Sequence, residues 1–264
     1  MPLSSGLRGQ GVLVTGASQG IGFGAARAFL EEGARVVINS SNEGRIEKAL
    51  GQLRGFGEVH GVVADLRRQK DLDELVRQSV KHLGGLDTLV YVTGGPPPGT
   101  FMEQDYAAWS SAAELLMVSP AYLARRVAEG MIARRRGGRM VFLASTSIRE
   151  PIPTIATSNV GRISIAGLVR TLARELGPHR IRVNGVLPGY IATDRLEEVV
   201  VDVARRQGTP LEAARRQLLG DVPLGRIGTT EELARTIVFL GSDLSEYVTG
   251  AMVPVDGGRL RSVG

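Results

Sequence analysis

The segment Thr15-Gly16-Ala17-Ser18-Gln19-Gly20-Ile21-Gly22 constrains this chain more than any other. It follows the apolar run Gly11-Val12-Leu13-Val14 and leads into a helical pattern from Phe23 to Glu32. That order reads as strand, tight turn and helix. Gly16 allows a turn where a Cβ would clash. Gly20 and Gly22 let the backbone approach a pyrophosphate and let the helix pack close to the strand. The free N–H groups and positive end of the helix then face the phosphates. The spacing is G-x-x-x-G-x-G, which differs from the common dinucleotide fingerprint, so the flanking strand and helix carry the reading as much as the glycines do.

The rest of the 264 residues repeats the alternation. Apolar, β-branched runs at 12–15, 35–38, 59–64, 86–92, 140–144, 181–186 and 251–255 predict strands. Amphipathic stretches at 24–32, 43–54, 71–83, 103–136, 160–177 and 230–241 predict helices. Such alternation specifies an α/β fold, a doubly wound, seven-stranded parallel sheet of Rossmann-like type, as a single domain over 1–264. Ligands of such sheets bind beyond the carboxyl ends of the strands. Residues 190–229, with charges, Pro210, Pro223 and two short helical patterns, read as a substrate-lid insertion after the sixth strand.

Composition removes several function classes. There is no cysteine, hence no disulfide or thiolate chemistry. His60, His82 and His179 lie far apart with no metal-ligand spacing, so no metal site is expected. No apolar run is long enough to span a membrane and no signal-peptide pattern opens the chain, which predicts a cytoplasmic protein with no membrane partner. The net charge is +5, and apart from Lys48, Lys70 and Lys81 the basic residues are arginines. The run Arg134-Arg135-Arg136 precedes Gly137-Gly138, where a helix should end and its dipole favours cations. No aromatic residues interleave that run, so nucleic acid is not an expected partner.

At this point the chain resembles the short-chain dehydrogenase/reductase family over nearly its whole length. Gly16, Ser18, Gln19, Gly20, Ile21 and Gly22 match the family's cofactor turn, and Asp65-Leu66 its adenine-contacting pair. Thr93-Gly94-Gly95 follows the fourth strand where the family usually has Asn-Asn-Ala-Gly. Pro188-Gly189, Ile191 and Thr193 match the nicotinamide-side loop, and Val255-Asp256-Gly257-Gly258 the C-terminal segment. The general likeness is to 3-oxoacyl-thioester reductases, in a divergent branch with a Pro-rich loop and an imperfect catalytic tetrad. The resemblance implies a catalytic Asn, Ser, Tyr and Lys. Only Ser145 matches. Counting along the helix 166–176 places Ser158 at the Tyr position and Arg162 at the Lys position, and counting from Trp109 places Leu116 at the Asn position. The resemblance also implies a homo-oligomer, a tetramer, built on the long helices.

The candidate catalytic residues are therefore Ser145, Ser158, Arg162 and Tyr190. A serine is a poor proton donor and ends several Å short of a tyrosine oxygen, so Ser158 reads either as a water or substrate contact or as a helix cap. Arg162 retains a positive charge for the cofactor ribose or the substrate but cannot relay a proton. Tyr190 is a substitute phenol or an apolar lid residue, and Tyr91 reads as packed. The cofactor is expected to be NADP, with NAD open, because Asn39-Ser40-Ser41-Asn42 ends the second strand with no carboxylate, and Ser40 and Ser41 can bond a phosphate. The sequence thus supports an NAD(P)(H)-dependent oxidoreductase acting on a small carbonyl or alcohol, or alternatively a weak or inactive dinucleotide-binding protein, a sensor or partner subunit.

Overall fold

The runs expected as strands form β1 (Gly11–Val14), β2 (Arg35–Ser40), β3 (Val59–Val63), β4 (Thr88–Tyr91), β5 (Gly138–Leu143), β6 (Ile181–Pro188) and β7 (Met252–Val255) in a computed structural model that describes residues 4–262. They pair in the order β3-β2-β1-β4-β5-β6-β7, every pairing parallel. Val12 faces Val36 of β2 on one side and Thr88 of β4 on the other. The chain winds outward from β1 to β3, then crosses back to β4. The carboxyl ends of β1 and β4 therefore part company at the middle of the sheet, where a ligand cleft opens.

Helices cover both faces. On one side α1 (Gly20–Glu31) and α9 (Thr230–Leu240) bury Ala25, Phe29, Leu233 and Ile237. On the other, α3 (Gln69–Leu83), α5 (Ser119–Arg134) and α6 (Ala156–Leu176) bury Leu75, Leu123, Val127, Ile165 and Val169. Helix α2 (Glu43–Leu53) is capped by Asn42, which accepts from the Arg45 N–H at 2.9 Å. Burial on both faces explains why β1 and β4 are continuous apolar runs rather than alternating ones.

Two buried polar side chains hold the cleft end of the sheet. The Thr15 hydroxyl donates to the Val92 carbonyl at 2.6 Å and accepts from the Val92 N–H at 2.9 Å, clamping the tip of β1 to that of β4. Asn39 donates to the Val62 and Ala64 carbonyls at 3.3 and 3.0 Å and accepts from the Gly16 N–H at 3.4 Å. It ties the glycine turn to β3.

The expected helix over 103–136 is not one helix. A 3₁₀ turn at Phe101–Glu103 leads to α4 (Tyr106–Ala113), then a π-helical turn at Glu114–Val118, then α5. The extra residue of the π turn carries Leu116, fully buried, against α6. A Cβ on Gly161 would come 2.8 Å from Leu116 Cδ1, so the glycine is what lets the two segments approach. Apolar periodicity cannot reveal this break, because the a/d pattern runs through it unchanged.

Residues 190–229 fold as α7 (Asp194–Gln207) and α8 (Leu211–Gly220), closed at the base by a bridge between Ile191 and Gly228. They pack on a small cluster of their own, Leu196, Val200, Ala204 and Ala214. Arg206 pairs with Glu103 at 2.9 Å and Asp202 at 2.8 Å, and Arg195 donates to the Pro96 carbonyl at 2.7 Å. The segment therefore lies across the cleft mouth. Among the described residues no helix is long and apolar enough to cross a membrane, and no three His, Asp or Glu are grouped to hold a metal.

Candidate functional site

A cleft of about 530 Å³ runs across the carboxyl ends of the central strands. It is built in three parts. At its centre lies the glycine turn. Gly16 and Gly20 take left-handed φ angles of 55° and 57°, and a Cβ on Gly22 would collide with the Gly16 carbonyl. Gly20 is different: its missing Cβ would meet only Thr193, at 3.5 Å, so it leaves open floor. The α1 N-terminus has no side-chain cap, and its free N–H groups face that floor. This cradle fits a pyrophosphate, so a dinucleotide suits the residues present.

The second part lies beyond β2 and β3, lined by Ser40, Ser41, Arg45, Asp65, Leu66 and Arg67. The Arg67 guanidinium bonds both oxygens of Asp65 at 3.0 and 2.9 Å and holds that carboxyl below its usual pKa. Arg45 projects from the first turn of α2, exposed, with no ion pair among the described residues. Neither arginine was singled out by the sequence. The signal was there for Arg45, three residues after the cap Asn42 and so turned back toward the end of β2.

The third part is formed by Thr93, Gly94 and Gly95 after β4, Ser145 after β5, Ser158 and Arg162 on α6, and Pro188 to Thr193 after β6. Every expected cofactor and catalytic position thus lines one cleft. Ser145 Oγ accepts from the Ser147 N–H at 3.1 Å, which leaves its own proton free. Arg162 Nε donates to Ser158 Oγ at 3.1 Å, and Nη1 lies 3.2 Å from each of the Leu143 and Ala144 carbonyls. Arg162 is only 7% exposed and, among the described residues, has no carboxylate within salt-bridge distance. Burial, opposed by Tyr91 and helped by the nearby Arg195 charge, brings its pKa down to about 10. It remains a cation at neutral pH.

Leu116, the residue at the expected Asn position, is sealed in the core and does not line the cleft; its backbone carbonyl accepts from Ser164 at 3.0 Å. Tyr91 is also sealed. Its hydroxyl donates to the Leu115 carbonyl at 2.7 Å, and burial drives its pKa upward, so it is a structural tie to the π turn. Tyr190 lines the cleft and packs on the α7 cluster. Behind it stands Arg259, 8% exposed, its guanidinium 5.1 Å from the Tyr190 ring centre and 3.3 Å from Thr146 Oγ1. Nothing in the sequence marks Arg259 except its place directly after Gly257-Gly258.

Comparison with known proteins agrees with this geometry. The family description "Enoyl-(Acyl carrier protein) reductase" matches residues 16–259. Dehydrogenase/reductase SDR family member 4 of Bos taurus is 32% identical over 250 residues, covering 94% of this chain and 86% of the relative. L-rhamnose 1-dehydrogenase (NAD(P)(+)) of Azotobacter vinelandii is 35% identical over 254 residues, covering 94% and 95%. The crystal structure of L-sorbose reductase from Gluconobacter frateurii, complexed with NADPH and L-sorbose, superposes with a TM-score of 0.92 at 30% identity, covering 99% of this chain and 100% of that one.

Burying Arg162 without a carboxylate has a cost that sets a stability test. Its folded pKa lies below that of the free side chain, so the cost is fully present below about pH 10 and fades as pH rises beyond it. Arg162→Met should raise ligand-free stability at pH 7.5 by about 1 kcal/mol or more, read as the urea midpoint. The gap from the wild type should narrow above pH 10. A lower midpoint would show that the three hydrogen bonds outweigh the desolvation.

Proposed function

This chain belongs to the short-chain dehydrogenase/reductase family of NAD(P)-dependent oxidoreductases, and we propose that it interconverts a small carbonyl compound and its alcohol with a chemically altered site. The carrying observation is the continuity of one cleft from the Gly20 floor to Ser145, Ser158 and Arg162. A bound nicotinamide would supply or accept the hydride. The residues would hold the rest in place: the glycine cradle takes the pyrophosphate, Asp65 and Leu66 flank the adenine, and Pro188, Gly189, Ile191 and Thr193 flank the nicotinamide side. The Ser145 hydroxyl, its oxygen already accepting from Ser147, donates to the substrate oxygen. Arg162 stabilises negative charge as a fixed cation. Residues 190–229 act as the lid that excludes water.

The proton must come from elsewhere than in the wider family. A serine hydroxyl is far less acidic than a phenol, and a guanidinium charged up to about pH 10 does not exchange protons readily at neutral pH. Water held by Ser145 and Ser158, or the Tyr190 phenol, fills that role. The 3-oxoacyl likeness of the sequence and the sugar-directed relatives both suit a carbonyl or alcohol substrate. The missing phenol at Ser158 is the one observation favouring an inactive, dinucleotide-binding protein instead.

The preferred cofactor is NADP(H). No carboxylate ends β2, Asn39 is consumed by the sheet, and Arg45 stands beside Ser40 and Ser41. The NADPH complex of L-sorbose reductase supports this reading. The protein is further proposed to be a homotetramer, because Met117, Val118, Val160 and Ile163 expose an apolar strip where the π turn meets α6.

Calorimetric titration should show NADPH binding more tightly than NADH, and Arg45→Ala should shrink the difference at least fivefold. Tighter NADH binding would refute the assignment. Light scattering at micromolar concentration should give four times the chain mass; a monomer refutes the assembly. In a turnover screen with both cofactors, Ser158→Ala should cost less than tenfold, whereas loss of a true general acid costs about 10²–10⁴. Ser158→Tyr combined with Arg162→Lys should raise activity on a simple ketone. No turnover by either protein would favour the inactive reading.

A further inference from the structure

The far end of the cleft carries more positive charge than the hydride reaction needs. Arg162, Arg195 and Arg259 converge there from α6, α7 and the segment after β7. Arg162 and Arg195 both line the cleft, and Arg259 backs the Tyr190 ring. One carboxylate answers them: Glu198, 2.9 Å from Arg195 Nη1. Among the described residues Arg259 has no ion pair, and its buried Nε has no hydrogen-bond partner. Arg162 is bonded through Nε and Nη1 only. Its Nη2 has no hydrogen-bond partner among the described residues, and the side chain lines the cleft.

A desolvated guanidinium with two unused donors is an incomplete ion pair. The cofactor does not complete it. Its phosphates belong over Gly20 and beside Arg45, at the other parts of the cleft, and a ribose hydroxyl brings no charge. We propose that Arg162 binds the carboxylate of the substrate, so that the substrate is an oxo acid or the matching hydroxy acid. This rests on the oxidoreductase reading. Ser145 then holds the reacting carbonyl oxygen, Arg162 Nη2 holds the acid group, and Arg195 and Arg259 raise the local potential. Arg195 also joins that end of the cleft to the Pro96 carbonyl, which keeps its guanidinium in place.

The test is a binding measurement on the protein saturated with NADP⁺, a state in which an oxo compound cannot be reduced. Pyruvate, acetoacetate and levulinate, which place the carbonyl at three distances from the acid, are each titrated against their methyl esters. At least one acid should bind ten or more times as tightly as its ester, with a preference that weakens as salt is added. Arg162→Gln should cut that preference below threefold. Arg195→Gln and Arg259→Gln should weaken the acid two- to fivefold and leave the ester unchanged. The wild-type comparison stands alone if a variant fails to fold. The proposal is overturned if no acid binds better than its ester, whether both bind alike or neither binds, or if Arg162→Gln keeps the full preference. Supplying NADPH separates the two readings. Reduction of an ester as readily as its acid sinks the carboxylate site and leaves the reductase. Selective binding of an acid without oxidation of NADPH leaves the carboxylate site and sinks the reductase.

Discussion

How closely the first turn of α1 can approach the tip of β1 governs everything in the cleft. Gly22 sits against the Gly16 carbonyl with no room for a Cβ, and Gly16 itself needs a positive φ. Because the helix starts this close, its unpaired N–H groups stand over the gap between β1 and β4 instead of over the sheet. The gap is held open to a fixed width. Thr15 clamps the two strand tips through Val92, and Asn39 braces the turn from the β3 side. These bonds are buried, so breaking one leaves a partner stranded, and the turn cannot relax without disturbing three strands.

That rigid floor is paired with a mouth of another kind. Residues 190–229 hold together through a separate small cluster and touch the body of the protein through, among other contacts, the ion pair of Arg206 with Glu103. Exposed ion pairs of this sort contribute little to stability. Such a pair can exchange for water, which suits the lid proposed for this segment. The contact between Glu103 and Arg206 holds the carboxyl at a pKa of about 2, so the latch stays charged through any ordinary pH range.

The sequence was readable wherever a residue's role follows from local geometry. The number of strands, their parallel pairing and the glycine cradle follow from alternation and from the steric demands at Gly16, Gly20 and Gly22. Counting from the helix 166–176 put Ser158 and Arg162 on one face of α6, and they do share the cleft. What stayed hidden depends on side chains meeting across the fold. The π turn at Glu114–Val118 leaves no trace in periodicity, since it adds a residue without changing which faces are apolar. Arg259 reads as a tail residue until the chain end folds beneath Tyr190. Asn39 looked like part of a phosphate-friendly loop and is instead wholly engaged in backbone bonds, which moves the burden of any 2′-phosphate contact to Ser40, Ser41 and Arg45.

Ser158 and Arg162 are best understood as one unit. The Arg162 Nε lies 3.1 Å from Ser158 Oγ, and its Nη1 reaches the Leu143 and Ala144 carbonyls at the end of β5. A guanidinium can lie flat across that path only if residue 158 is short. Residues in direct contact through a shared hydrogen bond are coupled, and their separate replacements do not add. The pair therefore acts as one unit, with the guanidinium held against the serine hydroxyl and the end of β5. An arginine so placed offers the cleft a fixed positive charge and not an exchangeable proton. On the proposed reading, that charge is matched when the carboxylate of the substrate enters the cleft.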